Sequence, residues 1–172
     1  MKIFIASDHA GFKLKDVLIP FLKQEGHEVV DMGAFVYKMG DDYPDFIKLA
    51  AEKVSEDPEN TRGIILGASG QGEAIVANKF PGVRAVVYYG GNREIIKLSR
   101  NHNDANILSL GARFLNEKEA KEMVRLWLGA KFLVDEERHP RRIEKIKEIE
   151  SVTMKSQKTI FRRLLHKVTR KK

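Results

Sequence analysis

Gly63-Ile64-Ile65-Leu66-Gly67-Ala68-Ser69-Gly70-Gln71-Gly72-Glu73, continuing into Ala74-Ile75-Val76-Ala77-Asn78-Lys79, passes from an uncharged apolar run through small residues and glycines into a helix-permissive segment. The succession predicts a buried strand, a tight loop and a helix with Glu73 in its first turn. Glycines let backbone amides approach a ligand, and a loop of this shape aims N–H groups at an anion, whether a phosphate or an oxyanion formed during reaction. The loop lacks the Gly-Lys-Ser/Thr ending of a nucleoside triphosphate site and the spacing of the dinucleotide fingerprint. Taken alone it admits two readings, an anion cradle or a sharp turn, and its place in the chain has to decide between them.

On either side, short apolar runs alternate with helical periodicity. Lys2 to Ala6 forms a first strand, and Ser7-Asp8-His9-Ala10-Gly11 leads to a helix carrying Leu14, Val17, Leu18, Phe21 and Leu22, which stops at Gly26. A second strand spans His27 to Met32. A loop ending in Asp41-Asp42-Tyr43-Pro44 precedes a helix with Phe46, Ile47, Leu49, Ala50 and Val54. Beyond the glycine segment come a strand at Gly82 to Tyr89, a helix from about Asn92 to Arg100, a strand at Ala105 to Leu110, and a helix carrying Ala120, Met123, Val124, Trp127 and Leu128. Pro140 opens an extra C-terminal helix. The alternation predicts a single doubly wound α/β domain with a five-stranded parallel sheet in the flavodoxin-like order 2-1-3-4-5. Ligands of such sheets sit at the carboxyl ends of the strands where the order reverses, so Ser7-Asp8-His9 is expected to face Gly67 to Glu73.

The 172 residues, 42% of them hydrophobic, suffice for one core. No run of about 18 apolar residues offers a membrane span, and the N-terminus enters a strand at once, without the pattern of a signal peptide. Zero cysteines exclude disulfides, thiolate metal ligands and a thiol base. A cytoplasmic protein with no membrane partner is the expectation. Of the 31 basic residues behind the net charge of +7, eight fall in residues 151–172, which hold no acid; the remaining 23 face 24 acidic residues in 1–150. Basicity is thus a property of the tail, and no nucleic-acid partner is expected. The chain divides into a domain at 1–150 and a basic amphipathic tail at 151–172. In that tail Ile160, Phe161, Leu164, Leu165 and Val168 recur on one helical face, a pattern that suits packing on a partner subunit or partial disorder before contact with a membrane or nucleic acid.

Polar clusters recur where elements end: Asn101-His102-Asn103-Asp104, Gly111-Ala112-Arg113, and Arg138-His139-Pro140-Arg141-Arg142. Arg138 and Arg142 flank a helix N-terminus and have the forked donors that match phosphate; the same residues also suit a solvated basic cap.

Together these motifs resemble the type B ribose-5-phosphate isomerases, within the larger group that includes galactose-6-phosphate isomerase subunits. The resemblance runs from Met1 to about Glu150. It rests on Ser7-Asp8-His9-Ala10-Gly11, Asp42-Tyr43-Pro44, the glycine loop with Ala77-Asn78-Lys79, Asn101 to Asn106, and Arg138-His139 with Arg142. It implies interconversion of ribose 5-phosphate and ribulose 5-phosphate in the pentose phosphate pathway, with no metal or cofactor, at sites shared between two subunits of a homodimer or tetramer. Many members place a cysteine base at the position of Gly67. This chain resembles instead the subgroup, mycobacterial enzymes included, whose loop ends in Gly-Glu, which assigns the base to Glu73.

Aldose–ketose interconversion needs a base that takes a proton from C2 and returns it to C1, with donors that stabilise the enediolate between those steps. Glu73 suits the first task, although a carboxylate there also stabilises a first helical turn. Ser69 with the backbone of Gly67, Ala68, Gly70 and Gly72 suits the second. His102 and Asp8 are candidates for opening the furanose ring; a histidine at a helix end also serves as a cap, and Asp8 also suits a turn. Asn103 and Tyr43 are expected to orient hydroxyls, and His9, Arg113, Arg138 and Arg142 to hold phosphate. Isomerisation of a six-carbon sugar phosphate, and a non-catalytic sugar-phosphate-binding module, stand as alternatives.

Overall fold

A computed structural model of the chain describes the backbone of residues 1–169 and the side chains of residues 1–153. Strands and helices alternate as β1 (Lys2–Ser7), α1 (Phe12–Gln24), β2 (Glu28–Asp31), α2 (Pro44–Glu56), β3 (Thr61–Gly67), α3 (Gln71–Ala77), β4 (Ala85–Tyr88), α4 (Glu94–Asn103), β5 (Ile107–Gly111) and α5 (Glu117–Gly129). A long α6 (Arg138–Thr169) follows. Met1–Leu133 and Val134–Lys172 form two compact units. The sheet belongs to the first, and the side chains from Ile160 to Val168, expected to form an apolar face, lie outside the described residues.

All strand pairs are parallel, and the order is β2-β1-β3-β5-β4. The doubly wound parallel sheet is the one expected, with one correction: the last two strands exchange places relative to 2-1-3-4-5. β5 is buried along all five residues and takes the inner position, pairing with β3 from Gly63↔Ile107 to Gly67↔Gly111. The four-residue β4 is only partly buried at three positions and takes the edge. There Asn78 closes the free side of Ala85, donating to its carbonyl at 3.0 Å and accepting from its N–H at 2.8 Å. This occupies edge groups that would otherwise stay unpaired, and it gives the Ala77-Asn78-Lys79 motif a structural role.

Right-handed crossovers then fix which face each helix covers. Leu14, Leu18 and Leu22 of α1, Ile96 of α4 and Met123, Val124 and Trp127 of α5 pack with Ile3, Ile5, Ile64, Leu66, Leu108 and Leu110 on one face. Ile47, Ala50, Ala51 and Val54 of α2 and Ala77 of α3 pack with Phe4, Ala6, Ile65 and Ile107 on the other. The alternation of Ile64 and Leu66 against Ile65 is the period-two pattern of a strand buried on both sides. At the carboxyl end of β3 the chain leaves toward α3, while β1 and β5, its two neighbours, both lead to helices on the opposite face. A crevice therefore opens on each side of the glycine loop, not only on the β1 side.

Candidate active site

β3 ends at Gly67, and the chain turns through Ala68 and Ser69 to Gly70, whose φ of 77° is left-handed and suits glycine. The loop is tied back to β5. Ser109 Oγ donates to the Gly70 carbonyl at 2.6 Å, the Ala112 amide to the Gly67 carbonyl at 2.8 Å, and the Arg113 amide to the Ala68 carbonyl at 3.1 Å. In a trans peptide the N–H lies opposite its C=O, so the amides of Ala68, Ser69 and Gln71 face away from β5. The Gln71 amide meets Ser69 Oγ at 3.3 Å. A loop held in this way presents donors and a hydroxyl to an anion without further rearrangement.

Glu73, the third residue of α3, is 4% exposed. Its carboxylate does not lie on the outer side of the helix turn. It fills the volume beside Gly67, where any Cβ would overlap Oε1, Cδ and Oε2. The space that a side chain at residue 67 would claim is thus occupied by the side chain of residue 73, so a large side chain at 67 and an inward glutamate at 73 exclude each other. Burial lifts the Glu73 carboxyl above its ordinary value; its own backbone N–H pulls the other way, and the charge of Asp8 adds to the rise. A carboxylate so placed is a stronger proton acceptor than one in water.

Asp8 follows β1 directly and is buried; its Oδ1 accepts from the amides of Ala10 at 3.0 Å and Gly11 at 3.2 Å. Beside it, His9 Nδ1 lies 2.6 Å from Asp41 Oδ1, and the His9 amide donates to the same oxygen at 3.0 Å. Tyr43, which precedes α2, sets its phenol end against Gly72, where a Cβ would stand 2.7 Å from Cζ and 2.8 Å from Oη. Tyr43 therefore borders the first turn of α3, one residue from Glu73. Asp8, His9 and Asp41 form a group whose ligand atoms converge within 4.8 Å. The short contact commits the imidazole Nδ1 to Asp41.

The structure brings Asp8, His9, Tyr43, Gly67, Ala68, Ser69, Gly70, Gly72 and Glu73 to one edge of the sheet, together with the backbone of Arg113. That last neighbour depends on the strand exchange, since only with β5 beside β3 can residue 113 touch residue 68. His102 and Asn103 are not brought there. α4 starts at the carboxyl edge and ends at the opposite one, where the Asn103 carbonyl accepts from Arg84 Nε at 3.1 Å, just ahead of β4. Seven residues of β3 at about 3.3 Å each separate the two edges by about 20 Å. Arg138 and Arg142 lie in the second unit. There α6 begins at Arg138, two residues before the expected Pro140, and Arg138 Nη2 pairs with Glu136 Oε2 at 2.7 Å. Two contributors escaped the sequence reading. Ser109 left a signal, as a lone hydroxyl in an otherwise apolar strand; Asp41 had only its place in an acidic loop.

Residues 3–146 match the family described as Ribose/Galactose Isomerase. Ribose-5-phosphate isomerase B of Mycolicibacterium paratuberculosis is 41% identical over 150 residues, 87% of this chain and 92% of that protein. The crystal structure of ribose-5-phosphate isomerase B from Mycoplasma genitalium with bound ribulose-5-phosphate superposes with a TM-score of 0.82 at 39% identity, covering 87% of this chain and 96% of that one. For the Clostridium thermocellum ribose-5-phosphate isomerase B the TM-score is 0.81 at 44% identity, covering 89% and 99%.

Proposed function

This chain belongs to the ribose/galactose isomerase family, and from that premise we propose that it interconverts ribose 5-phosphate and ribulose 5-phosphate through an enediolate, with Glu73 as the base. Glu73 takes the proton from C2 of the open aldose and returns it to C1, while a proton passes from O2 to O1; the negative charge in between rests on the enediolate oxygen. Ser69 and the loop amides stabilise that oxygen, a role that their orientation away from β5 suits. The observation that carries the proposal is the burial of the Glu73 carboxylate beside Gly67, in the field of Asp8. A buried base with a raised pKa gains the affinity to remove a carbon-bound proton, which an exposed carboxylate lacks. The ribulose-5-phosphate held by the Mycoplasma genitalium relative supports the choice of substrate.

In the same proposal Asp8 and His102 open the furanose ring, Tyr43 and Asn103 orient hydroxyls, and His9, Arg113, Arg138 and Arg142 hold the phosphate. No step calls on a metal or a cofactor, and the cytoplasm is the compartment of action. Because His102 and Asn103 stand at the edge opposite Glu73, one chain cannot supply both to one substrate. The working form is therefore a homo-oligomer, at least a dimer, in which one copy's His102 meets another copy's glycine loop. Ile146, Ile149 and Val152 along α6 are exposed apolar groups that a neighbouring subunit would cover.

The test is Glu73→Gln, assayed with ribose 5-phosphate in a coupled reaction. The amide keeps the shape but accepts no proton, so kcat falls by at least about 10³-fold while substrate binding persists. Turnover at the wild-type rate removes Glu73 as the base.

A further inference from the structure

We propose that Asp41 is a positioning residue for substrate binding: its carboxylate fixes the His9 ring as an Nδ1–H donor and so presents Nε2 to the anionic end of the substrate. This rests on the reading of His9 as a phosphate contact. Asp41 is 32 positions beyond His9 and belongs to the loop between β2 and α2, yet one of its oxygens receives two groups of His9, the backbone amide at 3.0 Å and Nδ1 at 2.6 Å. An ionised carboxylate only accepts, so the imidazole nitrogen that meets it carries a proton. In the neutral ring Nε2 is then the acceptor; in the charged ring it is a second donor. Either way, the nitrogen left for a ligand is the one turned away from Asp41.

The surroundings make this arrangement rigid. The Asp41 side chain is 8% exposed, against 22% for His9, so the anchor lies deeper than the group it anchors. Its own loop is pinned at the other foot by Lys15, whose buried ammonium donates to both oxygens of Asp31 at 2.7 and 2.8 Å and to the Ala34 carbonyl at 2.7 Å. Between the two feet, the Tyr37 ring stands edge-on to His9, with centroids 6.4 Å apart, and to Phe12 at 6.0 Å. The loop thus closes over the Nδ1 side of the imidazole, and Asp8 Oδ2, 3.8 Å from the same nitrogen, adds a second negative charge there. A ring held by one nitrogen and flanked on one edge loses little rotational freedom when its other nitrogen binds, the usual gain from an orienting carboxylate behind a histidine.

The experiment compares the full-length protein with Asp41→Asn, His9→Gln and the double variant. In wild type, nitrogen-15 spectra of the His9 ring show a proton on Nδ1 at neutral pH, and in Asp41→Asn that signature is lost or mixed. For Asp41→Asn, KM for ribose 5-phosphate and the inhibition constant of inorganic phosphate both rise about tenfold, with kcat within about threefold, as expected when an interaction common to ground and transition states is removed. In the His9→Gln background, Asp41→Asn adds no further loss, because the partner it orients is gone. An Nδ1 without a proton in wild type, unchanged phosphate inhibition in Asp41→Asn, or fully additive losses in the double variant each overturn the proposal. If wild type proves inactive on ribose 5-phosphate, the isomerase reading fails, while the ring spectra and phosphate binding still decide the role of Asp41. A poorly folded Asp41→Asn leaves the wild-type spectrum as the deciding measurement.

Discussion

Replacing Gly67 by alanine isolates the placement of the base from its chemistry. The backbone at residue 67 is not in the left-handed region, so alanine is tolerated there conformationally, and the whole effect comes from what the new methyl meets. It meets the Glu73 carboxylate. A Cβ there stands 1.7 Å from Glu73 Oε1, so restoring ordinary contact requires the carboxylate to retreat by about 1.8 Å, since non-bonded heavy atoms settle near 3.5 Å. A misplacement of about 1 Å in a reacting group costs on the order of 10²-fold in rate, or about 2.7 kcal/mol of activation free energy. Gly67→Ala is therefore expected to lower kcat about 100-fold in the coupled assay and to leave KM within about threefold, because the loop amides and phosphate contacts are untouched. Thermal stability should hold or rise slightly, since a displaced carboxylate regains water. In Glu73→Gln, adding Gly67→Ala should change kcat no further. A Gly67→Ala enzyme with kcat within threefold of wild type refutes the reasoning, whatever its melting temperature.

Two further outcomes follow from the same geometry. Because burial raises the Glu73 carboxyl from its ordinary 4.5, the folded chain binds that proton more tightly than the unfolded one; stability is fully expressed below the unfolded value and declines as pH rises through the folded value. Glu73→Gln, with no charge to bury, should thus melt higher than wild type at about pH 8 and no differently at about pH 4, and equal melting at both would show that the charge is not buried at a cost. If the site is shared, inactive Glu73→Gln and inactive His102→Ala chains, unfolded and refolded together as an equal mixture, should regain about one quarter of wild-type activity, since half of random dimers are mixed and carry one intact site of two. A fully active monomer in sedimentation analysis would overturn the shared site.

The alternation of strands and helices was plain from periodicity, and with it the one reversal that sets Asp8 and His9 against Gly67 to Glu73. The order of the last two strands was not. Gly82 to Tyr89 and Ala105 to Leu110 are both short apolar runs, and which of them lies inside depends on how completely each can be covered, a tertiary quantity. The consequence reaches the site, because β5 beside β3 brings Ser109 and the amides of Ala112 and Arg113 onto the glycine loop. Asp41 was hidden for another reason: a carboxylate in an irregular loop has no periodicity to betray its partner, and its bond to His9 spans 32 positions. The location of His102, by contrast, was within reach of the sequence. In a parallel sheet every helix begins at the carboxyl edge and ends at the amino edge. A histidine in the last turn of α4 therefore lies far from a glycine loop at the start of α3, whatever the strand order. The two ends of a helix face opposite edges of the sheet. With the direction taken into account, an acid/base pair made of Glu73 and His102 already requires two chains.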